Sequence, residues 1–373
     1  MSDMKPFNWR NVLPFWSALA LVPLTIVTAL LGGWMLLALP LLAWHFFSLL
    51  DAVLGLEERN LDPKLNDRSI EPYTAVTMLW APLQFCLLFW LIWYATGPGD
   101  AHLSPFETIA LFFGMGVVSG TVGINFAHEL MHQPKRTERG MADALLAMVL
   151  YSHFRSEHLL VHHRYVATPK DPVTARYNEG FHRFFPRVLR ECLLSAFQVE
   201  AGRQISRGKK WYSSGNPFWL YLALQCYMLV LSLVLGGWIG LALLLWQAFV
   251  AVWQLELVNY IEHYGLTRKY LGDGKYEQVK PHHSWNATHK ASNWLLINLQ
   301  RHSDHHYKPT RRFPLLQNYE PDEAPRLPQG YPLMGLAAMV PPLWRRIMNP
   351  RVCDWRKQHY PEIEDWSAYN LRT

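Results

Sequence analysis

The chain has 373 residues, half of them hydrophobic and 17% charged, with a formal net charge of +6. This length is enough for one large or two ordinary domains, and the charges concentrate in residues 128–214 and 259–373. None of the four cysteines forms a Cys-x-x-Cys pair, which excludes a rubredoxin-like or iron–sulfur site on this chain. Because no nucleic-acid-binding motif is present, we attribute the basic charge to membrane topology and an acidic partner.

Six apolar runs are long enough for helices that cross a hydrocarbon core, which takes about 20 residues. Gly32-Gly33 and Gly236-Gly237 separate two pairs of runs, and they predict tight turns between antiparallel helices. The first run also fits a signal peptide, but it is long, lacks a convincing cleavage site and is followed by five further runs. The predicted spans are residues 12–31, 34–50, 73–94, 106–127, 216–235 and 238–258.

Loop charge predicts the orientation, because cytoplasmic loops carry an excess of Lys and Arg. The opposite loops, residues 32–33, 95–105 and 236–237, contain neither. This bias predicts a multi-pass protein with both termini and the polar segments in the cytoplasm. The basic residues that produce it are Lys5, Arg10, Arg59, Lys64, Arg68, Lys135, Arg136 and Arg139.

Nine histidines lie in four clusters next to the apolar runs or in the polar segments. His128 and His132 are four residues apart on one face of a helix that continues the fourth span, and His158 and His162 repeat this spacing. Imidazole suits iron, copper, zinc and nickel, and nine rings are too many for one ion but about right for two. The candidate ligands are His128, His132, His158, His162, His163, His263, His302, His305 and His306, whereas His45, His102, His153, His182, His282, His283, His289 and His359 are interpreted as structural or surface residues.

These patterns predict an all-α fold, a six-transmembrane-helix bundle with a cytoplasmic helical cap that carries a histidine-rich dimetal site. We expect one integrated domain. Its parts are transmembrane helices 1–4 in residues 1–127, the cytoplasmic histidine-box region in 128–214, transmembrane helices 5–6 in 215–258, and the cap with the last histidine boxes in 259–373.

One motif has a second interpretation. His128-Glu129-Leu130-Met131-His132 also matches the His-Glu-x-x-His signature of zinc metalloproteases, with Glu129 as general base. A membrane zinc protease needs only three protein ligands and an open position. It leaves the other seven histidines unexplained, so it is the remote alternative.

Carboxylates near the clusters are candidates to fix the imidazole tautomers by accepting the second ring N–H. Glu262 and Asp171 are favoured, since each lies beside a motif. The full set of candidates is Asp171, Glu262, Glu129, Glu157, Asp304 and Asn259.

Several longer strings resemble the integral-membrane alkane hydroxylases, or alkane 1-monooxygenases, within the membrane fatty-acid desaturase and hydroxylase superfamily. The strings are Asn259-Tyr260-Ile261-Glu262-His263-Tyr264-Gly265-Leu266, Leu299-Gln300-Arg301-His302-Ser303-Asp304-His305-His306, Pro309-Thr310-Arg311-Arg312 and Val166-Ala167-Thr168-Pro169-Lys170-Asp171-Pro172. The resemblance covers the chain from the first span to about residue 355. One departure is bulky Leu130-Met131, where many relatives have a small glycine beside the second histidine.

The resemblance implies two non-haem irons in the bacterial cytoplasmic (inner) membrane, held by the nine candidate histidines, with no haem or flavin on this chain. It implies insertion of one oxygen atom of O2 at the terminal carbon of an alkane. It also implies rubredoxin as electron donor, reduced by an NAD(P)H-dependent rubredoxin reductase, and here a separate protein.

Two sets of residues each allow two interpretations of their role. Gly116 and Gly120 in the fourth span fit either an apolar substrate tunnel or a helix-packing seam. The basic residues Arg203, Arg207, Lys209 and Lys210 fit either docking of an acidic donor or contact with anionic lipid.

The alternatives for activity are a sister hydroxylase acting on a methyl group of xylene, a terpene or a fatty acid, a desaturase, and a non-enzymatic iron-binding or sensor protein. Substrate length, oligomeric state and the presence of a bridging ligand are not determined by the sequence.

Overall fold

The computed structural model describes residues 9–367 and 369. Lys5 and the two chain ends, which enter the predicted orientation, lie outside the described residues, as does the side chain of Arg68.

Helices make up most of the described chain. In chain order they are α1 (Trp9–Leu31), α2 (Gly33–Leu54), α3 (Asp67–Ala95), α4 (Pro105–Met131), α5 (Arg136–Met148), α6 (residues 154–165), α7 (Phe181–Ile205), α8 (Phe218–His263), α9 (Lys290–Leu295), α10 (His302–Tyr307), α11 (Tyr331–Ala338) and α12 (Pro341–His359). Strand β1 (Tyr270–Gly272) pairs antiparallel with β2 (Lys275–Tyr276), and single 3-10 turns cover Pro98–Ala101, Pro281–His283 and Phe313–Leu315.

Five of the described helices, α1 to α4 and α8, are long and apolar enough to cross a membrane. The last has 46 residues and would extend about 69 Å if straight, more than twice a hydrocarbon core. It breaks at Gly237, where φ is 58° and ψ is −153°. A Cβ placed on Gly240 would lie 2.6 Å from the Ser232 carbonyl oxygen, so the chain folds back at this break.

The break between α1 and α2 has nearly the same backbone conformation, with φ 62° and ψ −156° at Gly32. This region of φ/ψ space is essentially restricted to glycine, which explains why each pair of apolar runs is separated by a glycine pair. Glu107 in the first turn of α4 accepts a hydrogen bond from the Gly33 amide at 2.7 Å. The turn is thereby attached to the start of α4, where Ser104 and Glu107 form a capping box.

Gly116 and Gly120 bring α4 and α8 into close contact. The sequence allowed either a substrate tunnel or a helix-packing seam at these positions. A Cβ on Gly116 would lie 2.6 Å from the Val250 Cβ, and one on Gly120 would lie 2.6 Å from Gln254 Nε2 and 3.0 Å from the Ala251 carbonyl oxygen. Both positions therefore form a close helix-packing seam, because a larger residue would separate the helices. Gly120 also lines the apolar cavity beside the histidines, so both interpretations apply at this position.

The cap is attached to the bundle through α2. Asp51, at the end of α2, is buried and accepts hydrogen bonds from the Ala291 amide at 2.6 Å and the Ser292 amide at 3.0 Å. These amides belong to the first turn of α9, which lacks intrahelical acceptors. The contact fixes α9 against the end of α2, directly before the segment that leads to α10.

Candidate metal centre

Helix α4 supplies the first two candidate ligands. A π-helical turn over Ser119–Ile124 interrupts it just before His128, and such turns often occur at functional sites. Gln254 Nε2 donates to the carbonyls of Gly116 and Val117, each at 3.3 Å, in the turn that precedes this bulge. The side chain of Gln254 thus stabilises the local distortion and fixes the direction in which α4 enters the site.

Helix α6 also contains a π-helical turn, and here the turn, His158–His162, consists of the candidate ligands themselves and the residues between them. In an α-helix, residues five apart point about 140° away from each other. In a π turn the hydrogen bond runs from residue i to i+5 and places such residues on one face. His158 and His163 consequently approach to 2.9 Å between their Nε2 atoms. The sequence spacing alone suggested an α-helical turn here.

The structure brings the candidate ligands into two groups in which the ligand atoms all lie within 4.8 Å of one another. Helices α6 and α10 each contribute to both, so the groups are adjacent. The first group is His128, His132, His158 and His305, and the second is His162, His263, His302 and His306. His163, the ninth candidate, lies beside the first group, with its Nε2 atom 3.1 Å from that of His305.

The nitrogen atoms within each group face one another. The Nε2 atom of His158 lies 2.9 Å from that of His128 and 3.1 Å from that of His132. In the second group, the Nε2 atom of His306 lies 3.0 Å from that of His302 and 3.2 Å from that of His162. Ligand atoms about 2.0–2.1 Å from a common ion are separated by about 3 Å, so this geometry fits one metal ion in each group.

The facing Nε2 atoms support this fit. They lie within hydrogen-bond distance of one another, yet each neutral imidazole has only one N–H. Three or more of them around one point therefore cannot all be paired with one another, and facing lone pairs repel. A cation between the Nε2 atoms removes this conflict.

The rings are also in the correct protonation state for ligation. Burial lowers the pKa of His158, His305 and His306 well below the usual histidine range, and the neighbouring imidazoles lower it further. At neutral pH these rings are uncharged. A metal ion therefore competes with no proton for their lone pairs.

Asp171 has the role expected of an outer carboxylate. Its Oδ2 atom lies 3.0 Å from His162 Nδ1 and accepts a hydrogen bond from Thr174 Oγ1 at 2.6 Å, while its Oδ1 atom accepts from the Val173 amide. The pair is fully buried. This contact places the His162 proton on Nδ1 and leaves Nε2 free to face the second group.

Glu262 contacts a different ring atom from the one expected. Its Oε2 atom lies 3.3 Å from His302 Nε2, the atom that faces the second group. It therefore does not hold the Nδ1 proton of this ring. Its Oε1 atom has no hydrogen-bond partner in the described part of the chain, and the side chain forms part of the wall of the cavity described below.

The remaining outer candidates have other contacts. Glu129 accepts a hydrogen bond from Gln133 Nε2 at 3.0 Å, and Asn259 donates to Glu256 at 3.1 Å. Glu157 is completely buried, and both its carboxylate oxygens lack a hydrogen-bond partner among the described residues. Burial, and then repulsion from Asp171, raises the pKa of Glu157 well above its ordinary value.

Asp304 lies between ligand candidates in sequence but holds the neighbouring loop. Its carboxylate accepts hydrogen bonds from Arg311 Nη1 at 2.5 and 2.7 Å, from the Tyr319 hydroxyl at 2.7 Å and from the Gln317 amide at 2.9 Å. It is completely buried. Asp304 thus attaches the segment after α10 to the centre, a role that its position within the histidine box does not indicate.

Replacing Arg311 with methionine is expected to lower the free energy of unfolding by about 3 kcal/mol, because it leaves the buried Asp304 carboxylate without its cation. In detergent, the thermal unfolding midpoint should fall by about 5 °C. Lys357→Met is the control. This side chain is 81% exposed, and its ion pair with Asp354 is long, at 4.0 Å, and open to solvent. Equal midpoints for both variants would contradict the assignment.

Comparison with known proteins agrees with this geometry. The fatty acid desaturase family model matches residues 104–337. Alkane 1-monooxygenase of Pseudomonas putida is 36% identical over 97% of this chain and 89% of its own length, and that of Ectopseudomonas oleovorans is 37% identical over 95% of this chain and 87% of its own. A more distant relative, the hydroxylase component of xylene/toluene monooxygenase from Pseudomonas putida, is 27% identical over 78% of each chain.

The chain belongs to the alkane 1-monooxygenases of the fatty acid desaturase family. This membership excludes the remote protease interpretation of His128-Glu129-Leu130-Met131-His132. Geometry leads to the same conclusion, because both histidines lie in a group of four imidazoles, whereas a catalytic zinc keeps three protein ligands. Glu129, which would be the general base of a protease, accepts a hydrogen bond from Gln133.

An apolar cavity of about 130 Å³ opens beside both histidine groups of this alkane 1-monooxygenase family member. His128 and His158 of the first group and His302 of the second lie in its wall. The apolar wall is formed by Trp44, Phe47, Phe154, Leu257, Leu295 and Leu336. Sequence analysis did not identify the contributions of α2 and α11, because neither helix contains a motif that points to the site.

A third group of potential ligands lies in the cap, where ligand atoms of Glu277, His282 and His283 are within 4.8 Å of one another. The Tyr360 hydroxyl lies among them, 2.7 Å from His283 Nε2 and 3.2 Å from His282 Nε2, and it donates to Glu277. The Lys280 amide donates to His283 Nδ1, so the neutral ring keeps its proton on Nε2. These contacts form a hydrogen-bonded clamp between the end of α12 and the β-hairpin.

Proposed function

We propose that the protein is a membrane di-iron monooxygenase that hydroxylates the terminal methyl group of medium- or long-chain n-alkanes to 1-alkanols. The observation that supports this most directly is the apolar cavity whose wall includes histidines of both groups. The surface of the cavity is largely apolar, which suits a hydrocarbon rather than a polar substrate. The similarity to alkane 1-monooxygenases over nearly the whole chain points to the same activity.

The nine histidines would hold two non-haem irons, with His163 joining the first group. Bound there, the irons would supply the redox chemistry that activates dioxygen. In the overall reaction one oxygen atom enters a terminal C–H bond and the other leaves as water, with two electrons and two protons supplied to the enzyme. A metal-binding sensor without turnover would not require an apolar cavity next to its metal ligands.

The residues of this chain contribute binding and orientation. Phe154, Leu257 and Leu295 bury the hydrocarbon and exclude water from the reacting carbon. Asp171 keeps His162 in one tautomer and orientation.

We infer six membrane crossings, with α8 counted as two because it folds back at Gly237. The loops around Gly32 and Gly237 contain no basic residue, whereas the histidine groups lie at the basic side of the bundle. The positive-inside rule then predicts a cytoplasmic centre in the bacterial inner membrane.

The electron donor would approach through a second opening, which shares no lining residue with the apolar cavity. A polar cleft of about 810 Å³ reaches His132 and His163 of the first group. Its basic wall residues are Arg139, Arg155, Arg203, Arg207 and Arg312. A small acidic protein such as rubredoxin is the partner whose charge fits this cleft, and the ring edges at its base shorten the distance over which electrons must pass.

Neutralising Arg203, Arg207, Lys209 and Lys210 together to glutamine is expected to raise the apparent KM for rubredoxin about tenfold and to weaken its salt dependence, with kcat nearly unchanged. The reason is lost electrostatic steering, since these residues are exposed at or beside the cleft. Steady-state turnover at several ionic strengths measures both effects.

The control is the double replacement Arg351→Gln with Lys357→Gln, which removes exposed charges from α12. An unchanged KM in the fourfold variant, or the same increase in the control, would indicate that these basic residues contact anionic lipid and do not dock the donor.

The function is tested on purified, detergent-solubilised protein by plasma mass spectrometry for metals, followed by octane turnover with rubredoxin, rubredoxin reductase and NADH. We expect about two irons per chain and 1-octanol as product. Two irons without octanol would redirect the search to xylene, terpene or fatty-acid methyl groups, and an alkene product would indicate a desaturase. One zinc without hydroxylation would overturn the proposal.

A further inference from the structure

Helix α11 and the residues that follow it expose an apolar stripe. The stripe comprises Leu333, Leu336, Val340 and Leu343, with exposed fractions of 41%, 50%, 50% and 44%. Leu333 and Leu336 lie on one face of α11, Val340 lies in the connection that follows, and Leu343 lies in the first turn of α12. Tyr331 and Met334 on the other face of α11 are buried. Four exposed large aliphatic side chains so close together are unusual for a surface in contact with water.

This stripe continues the lipid-facing surface of the bundle. Helix α11 packs directly on α8, because a Cβ on Gly335 would lie 3.3 Å from Leu257 Cδ2. Helix α2, which contacts α11, exposes Phe46 at 46% and Leu49 at 67% in the region that also provides Phe47 to the cavity wall. Exposed apolar side chains of both α2 and α11 therefore lie beside residues that line the same cavity.

The chain composition around the stripe matches the boundary of a membrane. No charged residue lies between Gly330 and Trp344, and exposed Arg345 and Arg346 follow directly. Basic residues next to a short apolar helix are typical of elements that lie in the cytoplasmic interface, where they reach the lipid headgroups.

Leu336 belongs to both surfaces. It is half exposed on the outer stripe, and it also lines the apolar cavity together with Met339. No other residue of the stripe is among the residues of the cavity wall. The edge of α11 at Leu336 and Met339 is thus where the outer apolar surface and the cavity meet.

We propose that α11 lies in the cytoplasmic leaflet with its stripe among the acyl chains, and that the Leu336–Met339 edge is the lateral entrance for substrate. Hydrocarbons partition into the bilayer, so they would pass from the leaflet to the cavity without crossing water. The entrance function rests on the proposed hydroxylation of alkanes, whereas the membrane position of α11 is independent of it.

The position of α11 is tested in the full-length protein in liposomes by spin-label accessibility. Cys86, Cys226 and Cys353 are replaced by alanine, and a nitroxide is attached at Leu336→Cys or Leu343→Cys. Leu49→Cys is the membrane control and Lys357→Cys the water control. Both stripe labels should match the Leu49 label in oxygen accessibility and show about fivefold lower access to a nickel chelate than the Lys357 label. Nickel access equal to that at Lys357 would overturn the proposal and indicate a protein-facing or solvent-facing stripe.

The entrance is tested by narrowing it. Leu336→Trp should lower kcat/KM for octane about tenfold with iron content unchanged, whereas Leu343→Trp, on the same stripe but away from the cavity, should leave kcat/KM unchanged. Equal kinetics for both variants would overturn the entrance assignment. If the wild-type protein makes no alkanol, the proposed function fails, while the spin-label result still decides the position of α11.

Discussion

Replacing His162 with alanine is expected to abolish hydroxylation and to remove iron from the second group. His162 contributes one of four clustered imidazoles and is completely enclosed by protein. Loss of an outer-shell partner alone costs about 10–100-fold in metal affinity or activity, so loss of a ligand should cost about a thousandfold or more. Plasma mass spectrometry and octane turnover measure the two effects.

The matched control is His102→Ala. His102 is exposed in the loop between α3 and α4, and its Nε2 atom lies 3.3 Å from the Ala29 carbonyl oxygen. It belongs to neither histidine group and does not line the cavity. Membrane insertion should be normal in both variants, because neither residue belongs to a predicted span. Full activity and full iron content in His162→Ala would remove this residue from the ligand set.

Asp171→Asn is expected to reduce hydroxylation and iron affinity about 10–100-fold while the protein still folds. The amide keeps the shape of the carboxylate. It removes the negative charge, however, and can present N–H groups to His162 Nδ1 and to the Thr174 hydroxyl. In the wild-type protein these two groups lie 3.0 and 2.6 Å from a carboxylate oxygen of Asp171. The His162 tautomer that leaves Nε2 free for metal is then no longer favoured. Iron dissociation against a chelator, followed by turnover, measures the loss.

Two further variants separate the role of the carboxylate from general damage. Thr174→Val removes one donor to Asp171, together with the acceptor of the Ala167 amide. It keeps the carboxylate on His162 and should give a smaller loss, about tenfold or less. Asp354→Asn removes a carboxylate that is 77% exposed on α12 and should behave as wild type. Iron retention by Asp171→Asn equal to that of Asp354→Asn would show that the contact with His162 is not needed for metal binding.

Much of the site could be predicted because its information is local. The nine candidate histidines lie in short strings, and eight of them fall into the two groups in the structure. Glycine pairs at Gly32 and Gly237 mark breaks because their backbone conformation excludes other residues. Apolar runs of about 20 residues predict membrane helices from composition alone, since the bilayer imposes their length.

The assignment of partners could not be predicted in the same way. Asp171 and Asp304 both lie in distinctive strings, yet one contacts a ligand candidate and the other holds Arg311. Glu262 approaches Nε2 of His302 rather than Nδ1. Each difference depends on side-chain direction between segments that are distant in sequence, which spacing does not contain.

The sequence by itself determined the residue types, the helical runs and the four histidine clusters, because periodicity and bilayer thickness act on neighbouring residues. Only the tertiary structure decided how the histidines divide between two groups, since α6 and α10 each serve both and α6 does so through a π-helical turn. It also decided that α2, α8 and α11 contribute to an apolar cavity beside the two histidine groups. These features arise from packing between distant segments, where the shape of one surface selects the position of another.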